Sequence, residues 1–363
     1  MEKLTVAILF GGRSAEHEVS LQSAKNVIDS IDKTKYNTVL IGISREGRWF
    51  LNSGSIRLNN DGNPKAISLA EYSREVAVTP NGSGSRLIDL NGLKDLGTVD
   101  VIFPVLHGPY GEDGTVQGLA KLADVPCVGA GILGSAAGMD KEIMKRLLRD
   151  NNIPIGRFIT VKDCDSTPAY NTVSEELGTV LFVKPANLGS SVGISRATNE
   201  AEFISAVNVA FEYDTKIIIE EEIKGREIEC AVLGNREPNA SVPGEIKPNT
   251  AFYSYEAKYI DDKGADLIIP AILPSDIVKK VQHYAVETFK ALECRGLARV
   301  DFFVTGDGNV LVNEINTIPG FTRISMYPKL WKESGISYTE LIDRLISLAI
   351  EDFNKQKKLK SGV

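Results

Sequence analysis

Short apolar blocks, set off by glycine and by amphipathic stretches, organise this chain. Residues 4–10, LTVAILF, are apolar on both faces and stop at Gly11-Gly12, the pattern of a buried parallel strand. Leu21, Ala24, Ile28 and Ile31 then recur at three- and four-residue spacing, which predicts a helix, and residues 37–44 supply a second strand. The right-handed crossover of such a β-α-β unit puts Gly11-Gly12 and the segment around Glu16 at the carboxyl end of the sheet, where open α/β sheets take ligands. A further strand over 99–106 runs into His107-Gly108-Pro109-Tyr110-Gly111-Glu112-Asp113-Gly114, followed by a helix over 115–123 and a linker over 126–131. The intervening residues 52–98 are rich in Asn, Ser, Gly and charge and read as an elaboration of this first, parallel-sheet (Rossmann-like) domain.

The pattern then changes. An amphipathic helix through Asp140, Lys141, Met144, Leu147 and Leu148 leads to a strand near 157–161, a polar helix, and a strand over 180–185 that ends in Lys184-Pro185. A helix over 199–212 and a strand over 216–223 follow, then strands at 227–234 and 241–247, a helix over 275–292, two apolar runs joined by Gly306-Asp307-Gly308-Asn309, and an amphipathic helix over 338–353. Residues 249–264, NTAFYSYEAKYIDDKG, are long and aromatic-rich for a connection, which marks a lid or binding loop. The expected domains are 1–129, 130–221 and 222–363. The fold class is α/β with three domains.

Composition narrows the partners. The 363 residues are 43% hydrophobic and 25% charged, ordinary globular values, and the net charge of −7 gives no reason to expect nucleic acid or an anionic membrane. The apolar run at the N-terminus is too short for a signal peptide and no stretch approaches a membrane span, so the expected location is the cytoplasm. Cys127, Cys164, Cys230 and Cys294 lack metal spacing and read as structural thiols.

The candidate chemistry centres on the two runs around Asp307-Gly308, a dipeptide that predicts a two-residue type I′ hairpin turn. That turn places Asp301 opposite Glu314 and Arg299 opposite Asn316, all on one side of the ribbon. Opposed carboxylates repel, so a cation is expected between them, and two carboxylates with an amide oxygen suit Mg²⁺; a solvated hairpin face is the alternative. Lys184 ends a buried strand, which is costly unless its ammonium reaches an anion or water. The adjoining loop Asn187-Leu188-Gly189-Ser190-Ser191-Val192-Gly193 could close over phosphate, or be an ordinary turn. No G-x-x-x-x-G-K-[ST] occurs, so this is not a P-loop protein, and the Gly11-Gly12 turn lacks the G-x-G-x-x-G pattern of a dinucleotide site. The backbone after Glu220 could meet an adenine with Glu222 or Glu227 at the ribose, although successive glutamates also suit a solvated edge. Lys258 and Tyr259 could reach phosphate and substrate, or pack on their own loop. His107 ends a strand beside a glycine-rich loop and is either a substrate contact or a satisfied structural residue.

Together these motifs resemble the D-alanine:D-alanine ligase family of the ATP-grasp superfamily over essentially the whole chain. The likeness rests on residues 11–20 (GGRSAEHEVS), His107-Gly108 with Gly111-Glu112-Asp113-Gly114, Met139-Asp140-Lys141, Lys184-Pro185, Gly189-Ser190-Ser191-Val192-Gly193, Tyr255-Glu256-Ala257-Lys258-Tyr259, Arg299-Val300-Asp301 and Asn313-Glu314-Ile315-Asn316-Thr317. The resemblance implies an ATP-grasp architecture with ATP between the sheets of the central and C-terminal domains. Lys141 and Lys184 would contact phosphates beneath the loop that holds Ser191, and Glu220, Glu222, Ile223 and Glu227 would hold adenosine. Asp301, Glu314 and Asn316 would bind two Mg²⁺, with Mn²⁺ as a substitute. Glu16 would take the ammonium of the first D-alanine in a triad with Ser190 and Tyr259, and Ser325 and Met326 would take the second carboxylate. Lys258 would meet the γ-phosphate, Arg299 and the Gly320 N–H would face the oxyanion, and His107 would help hold substrate.

The resemblance thus implies ATP-dependent formation of D-alanyl-D-alanine through a D-alanyl phosphate, for cell-wall precursor synthesis, by a homodimer. Relatives that make the D-alanyl-D-lactate ester carry residues such as His or Phe where Tyr259 stands, so tyrosine favours the dipeptide. A D-alanine:D-lactate ligase and a non-catalytic Mg-ATP-binding regulator are the competing readings.

Overall fold

The computed structural model describes residues 2–52, 58–59, 68–69, 74–80, 85–248 and 265–360. Three sheets carry the architecture. The first has seven strands in the order Lys94–Val99, Ser85–Asp89, Arg74–Pro80, Trp49–Asn52, Tyr36–Ile43, Leu4–Gly11, Val101–Val105. Its three apolar strands pair in parallel, as their two-sided apolar character requires, with the helix His17–Ser30 crossing between Leu4–Gly11 and Tyr36–Ile43. The sheet is mixed rather than purely parallel, because the polar stretch read as an elaboration adds antiparallel strands at one edge. Those strands alternate buried and open positions, a weaker signal than a continuous apolar run.

The second sheet is antiparallel, in the order Phe158–Lys162, Lys216–Glu221, Leu181–Pro185, Ser195–Ala197. It has its own core, in which Val173, Leu177, Phe203 and Val207 from two helices cover Leu181, Val183, Ile217 and Ile219. The third runs Ala265–Ile268, Gly244–Pro248, Gly225–Gly234, Gly296–Thr305, Val310–Asn316, with Asn239–Ala240 on the side of Gly225–Gly234. No helix among the described residues is long and apolar enough to cross a membrane.

The hairpin of the third sheet corrects one expectation and keeps its consequence. Thr305 and Asn309 pair across a three-residue loop, with Gly308 at φ 82 and Asp307 not in the left-handed region, so the turn is not type I′. Thr305 Oγ1 accepts from the Asn309 N–H and Asp307 accepts from Asn309 Nδ2, contacts that favour this wider loop. The register therefore starts one residue off, at Val304 opposite Val310, and a bulge between Asp301 and Phe302 restores it. Asp301 then faces Glu314 and Arg299 faces Asn316, as the sequence predicts.

Phe321 joins the first sheet to the third. Its ring meets Phe103 of the first sheet at 6.2 Å, Tyr338 at 6.0 Å and Tyr327 at 5.7 Å. Its carbonyl accepts from Asn26 Nδ2 and the Tyr338 hydroxyl, and its N–H donates to Ser23 Oγ. Residues 317–326 are held by this cluster. Phe321→Ala is expected to destabilise the protein by about 3–5 kcal/mol, the usual range for a fully buried phenylalanine. Chemical denaturation checks it, and a loss within the scatter of surface substitutions would show that the cluster does not anchor the segment.

Candidate active site

Two cavities, of about 360 and 350 Å³, meet in the cleft between the sheets. Lys141, Leu188, Gly189, Ser190 and Glu314 line both.

The second cavity lies between the four-stranded and the six-stranded sheets. Asp140 caps the helix Lys141–Asp150, its Oδ1 accepting from the Ile143 N–H at 3.1 Å, while its Oδ2 accepts from Lys216 at 2.6 Å. This cap sets Lys141 at the cleft, where its Nζ donates to the Leu188 carbonyl at 2.5 Å and lies 3.8 Å from Glu314. Lys184 pairs with Glu220, which also receives Lys145 at 2.8 Å. Burial alone would raise the Glu220 carboxyl, but the two ammonium groups outweigh it and hold the carboxyl down to about 2. Burial likewise opposes the charge on Lys184, and Glu220 reverses that, raising its pKa. The carboxylate of Glu220 therefore orders two lysines, and Glu220 also lines this cavity, where the adenosine contact is expected of it. Glu222, Ile223 and Glu227 line the same cavity, with Glu222 also accepting from Arg196. Ser190 at φ 54 and Ser191 at φ 60 both take left-handed backbone, and both side the cavity.

In the first cavity Glu16 is buried and accepts from the Ser190 hydroxyl. Glycine is required at 108: φ is 75, and a Cβ there would come within 2.9 Å of Glu16 Oε2. The Gly108 N–H donates to Glu112 Oε2 at 2.8 Å. Burial, and then the Glu16 carboxylate, push Glu112 well above the usual carboxyl range. Glu112 was not singled out from the sequence, although the Gly111-Glu112-Asp113-Gly114 motif contains it. Lys145, Glu229 and Lys329 also line the cleft and were missed, because nothing in their local spacing marks them. Gly320, Ser325 and Met326 close the far end, where the Thr322 N–H and hydroxyl engage Ser325 Oγ at 3.0 and 2.8 Å.

His107, expected at the substrate, lies behind the cavity wall. It is 4% exposed, with Nδ1 at 3.0 Å from the Ile318 carbonyl and Nε2 at 3.1 Å from Ser23 Oγ. Ser23 Oγ accepts from the Phe321 N–H, so its own proton goes to Nε2 and Nδ1–H donates to Ile318. Burial lowers the His107 pKa, in keeping with a neutral ring. The imidazole thus positions residues 318–321.

Arg299 Nε and Nη2 donate to Asp301 at 2.7 Å each. Asn316 Oδ1 accepts from the Ile318 N–H at 3.1 Å and keeps a second lone pair. Asp301 and Glu314 are partners across the hairpin and Asn316 follows two residues on, with Glu314 lining both cavities and Asn316 the first; their two carboxylates and one amide oxygen fit a hard divalent ion completed by phosphate oxygens and water. No group of three or more His, Cys, Asp or Glu side chains forms a ready metal cage among the described residues. Lys258 and Tyr259 lie outside the described residues.

A cleft clasped by a sheet from each side, with lysines toward one end and an acid-lined chamber at the other, defines an ATP-grasp ligase. The family models described as D-ala D-ala ligase N-terminus and C-terminus match residues 5–130 and 147–347. The chain belongs to the D-alanine–D-alanine ligase family. It is 52% identical over 361 residues to a D-alanine–D-alanine ligase from Oceanobacillus iheyensis, covering 99% of each chain. Among solved structures, the D-alanine-D-alanine ligase from Coxiella burnetii superposes with a TM-score of 0.85 at 39% identity, covering 99% of this chain and 97% of that one. The VanG D-Ala:D-Ser ligase from Enterococcus faecalis gives 0.83 at 36% identity, with coverage of 96% and 100%.

The Glu220 pairing sets a pH dependence. A carboxyl depressed by folding contributes stability above its unfolded value of about 4.3, and that contribution is lost as pH falls toward about 2. In Glu220→Gln the acid limb of stability against pH should flatten over that window, as urea denaturation at stepped pH would read; an unchanged limb would mean the lysines do not depend on this carboxylate.

Proposed function

We propose that the chain joins two D-alanines to D-alanyl-D-alanine with cleavage of ATP, for peptidoglycan precursor synthesis. The observation that carries the reading is that the two cavities are neighbours that share Lys141, Ser190 and Glu314 in their walls. A nucleotide whose phosphates point along the second cavity would present its terminal phosphate to an acceptor in the first.

In this reading Lys141, Lys184 and the backbone at Ser191 hold phosphate, and Ile223, Glu222 and Glu227 hold adenosine, with Glu220 acting through its lysines. Asp301, Glu314 and Asn316 would hold Mg²⁺, as two ions, or Mn²⁺ in its place. The ions would supply charge neutralisation on the phosphates as the phosphoryl group transfers. Glu16, set by Ser190, takes the ammonium of the first D-alanine, whose carboxylate oxygen attacks the γ-phosphorus as ADP leaves. The second D-alanine, its carboxylate at Ser325 and the Met326 N–H, attacks the acyl carbon through its amine, which loses a proton as phosphate departs. Arg299 and the Gly320 N–H face the oxyanion that forms on the way. Lys258 and Tyr259 enter from the family resemblance, as the γ-phosphate contact and the third member of the Glu16 triad on a lid over 249–264. A lid excludes water from an acyl phosphate that would otherwise hydrolyse.

The division into domains 1–129, 130–221 and 222–363 belongs to the same reading, with ATP between the latter two. So do a cytoplasmic location, where ATP is supplied, and a homodimer, for which light scattering would read twice the 39.5 kDa of the chain.

Phosphate release from Mg-ATP, with products read by mass, is expected to require D-alanine, to ignore L-alanine, and to give one phosphate per dipeptide. Release indifferent to D-alanine would leave an ATP-binding protein of other function. Ester or D-alanyl-D-serine formed in preference, when D-lactate or D-serine competes, would move the second-site assignment away from D-alanine.

A further inference from the structure

Three acids stand in a row across the third sheet. Glu229, Asp301 and Glu314 are direct partners on adjacent strands, Glu229 opposite Asp301 and Asp301 opposite Glu314. Carboxylates placed this way share a face and repel. Arg299 relieves the first pair: Nε and Nη2 donate to the two oxygens of Asp301 at 2.7 Å, and Nε also lies 3.0 Å from Glu229 Oε2. Glu229 is 7% exposed and lines the first cavity, on a strand otherwise filled by Ile228, Cys230, Ala231 and Val232. An acid at such a position is disfavoured by burial unless its charge has a task.

Only Asp301 of the pair belongs to the donor set for the ion. A guanidinium bound to both of its oxygens takes one lone pair of each, holds the carboxylate's orientation and repels a divalent cation brought beside it. We infer that Glu229 is a positioning residue: it takes over the Nε of Arg299 when Asp301 turns to the ion, freeing that carboxylate while the guanidinium stays at the cavity. Nε is already within ion-pair distance of Glu229, so the exchange asks for a change of partner and little movement. The inference rests on the reading of Asp301 as an ion ligand.

A double-mutant cycle separates this role from a simple negative charge near the ion. Mn²⁺ is titrated by electron paramagnetic resonance of the free ion, against full-length protein with a non-hydrolysable ATP analogue and no amino acid. Glu229→Gln should weaken Mn²⁺ by about ten-fold, the scale of an outer partner of a ligand. In Arg299→Gln, where the guanidinium is gone, the same change should alter affinity by less than about two-fold, the scatter of independent sites. Glu229→Asp keeps the charge but withdraws its oxygens, and should weaken Mn²⁺ as glutamine does; it also serves if the glutamine variant does not fold. Equal losses in both Arg299 backgrounds, no loss on Glu229→Gln, or wild-type affinity in Glu229→Asp would each overturn the exchange. Asp301→Asn is the reference: nucleotide-dependent Mn²⁺ binding that ignores it would remove the ion-site reading and this inference with it. Binding that needs Asp301 and ignores Glu229 would overturn the inference alone.

Discussion

Charge held in a cleft must be paired before any ligand arrives, and the cleft of this chain is arranged around that constraint. Four cations facing it are partnered: Lys184 with Glu220, Lys145 with the same carboxylate, Arg299 with Asp301, and Lys141 with Leu188 and at longer range with Glu314. A low dielectric makes each pair strong and each unpaired member expensive. The groups that would bind phosphate and a divalent ion are therefore the groups that hold the site together without them. Binding then exchanges partners instead of creating charge, which keeps lysines and arginine ordered at the positions where developing negative charge must be met.

The same constraint explains why the site spans three sheets. Glu220 and Lys184 stand on adjacent strands of the second sheet, and the acid row crosses three strands of the third. Strand pairing fixes these spacings to within the pleat, a rigidity that loops do not offer. What loops contribute is the chamber end, and there the packing of Phe321 substitutes for regular structure. Phe103 from the first sheet, Tyr338 and Tyr327 enclose it, so the stretch carrying Gly320, Ser325 and Met326 follows the N-terminal sheet as well as the C-terminal one. The second sheet, with its separate core, lacks this tie.

The sequence made the strongly periodic elements and the glycine-bounded motifs legible, because local period and turn chemistry decide them. It failed where a tertiary partner decides. His107 follows its strand as read, yet the Ser23 and Ile318 partners that hold it behind the cavity wall come from distant segments. Glu220 reads from sequence as an adenosine contact or part of a solvated acidic run, and neither reading contains its pairing with Lys145 and Lys184. The edge strands between 52 and 98 escaped notice because alternating half-buried positions among Asn, Ser and Gly carry little signal. The hairpin is instructive in a different way: the expected register at Asp301 and Glu314 was reached by a wider turn and a compensating bulge. The family resemblance reached the site as a set, but the tasks of single residues within it came from contacts.

Glu112 shows how far such contacts can divide labour between like groups. Two carboxyls, Glu16 and Glu112, border one chamber on either side of Gly108, whose N–H serves Glu112 and whose missing side chain makes room for Glu16. Burial and the neighbouring Glu16 charge press Glu112 toward its protonated form. Environments that push paired acids apart assign them different roles. The Glu112 carboxyl ties the Gly108 turn to the wall by accepting its N–H, while Glu16 lines the chamber and accepts from the Ser190 hydroxyl. One acid thus serves the turn and the other the chamber, a division set by contacts that neither residue's local sequence carries.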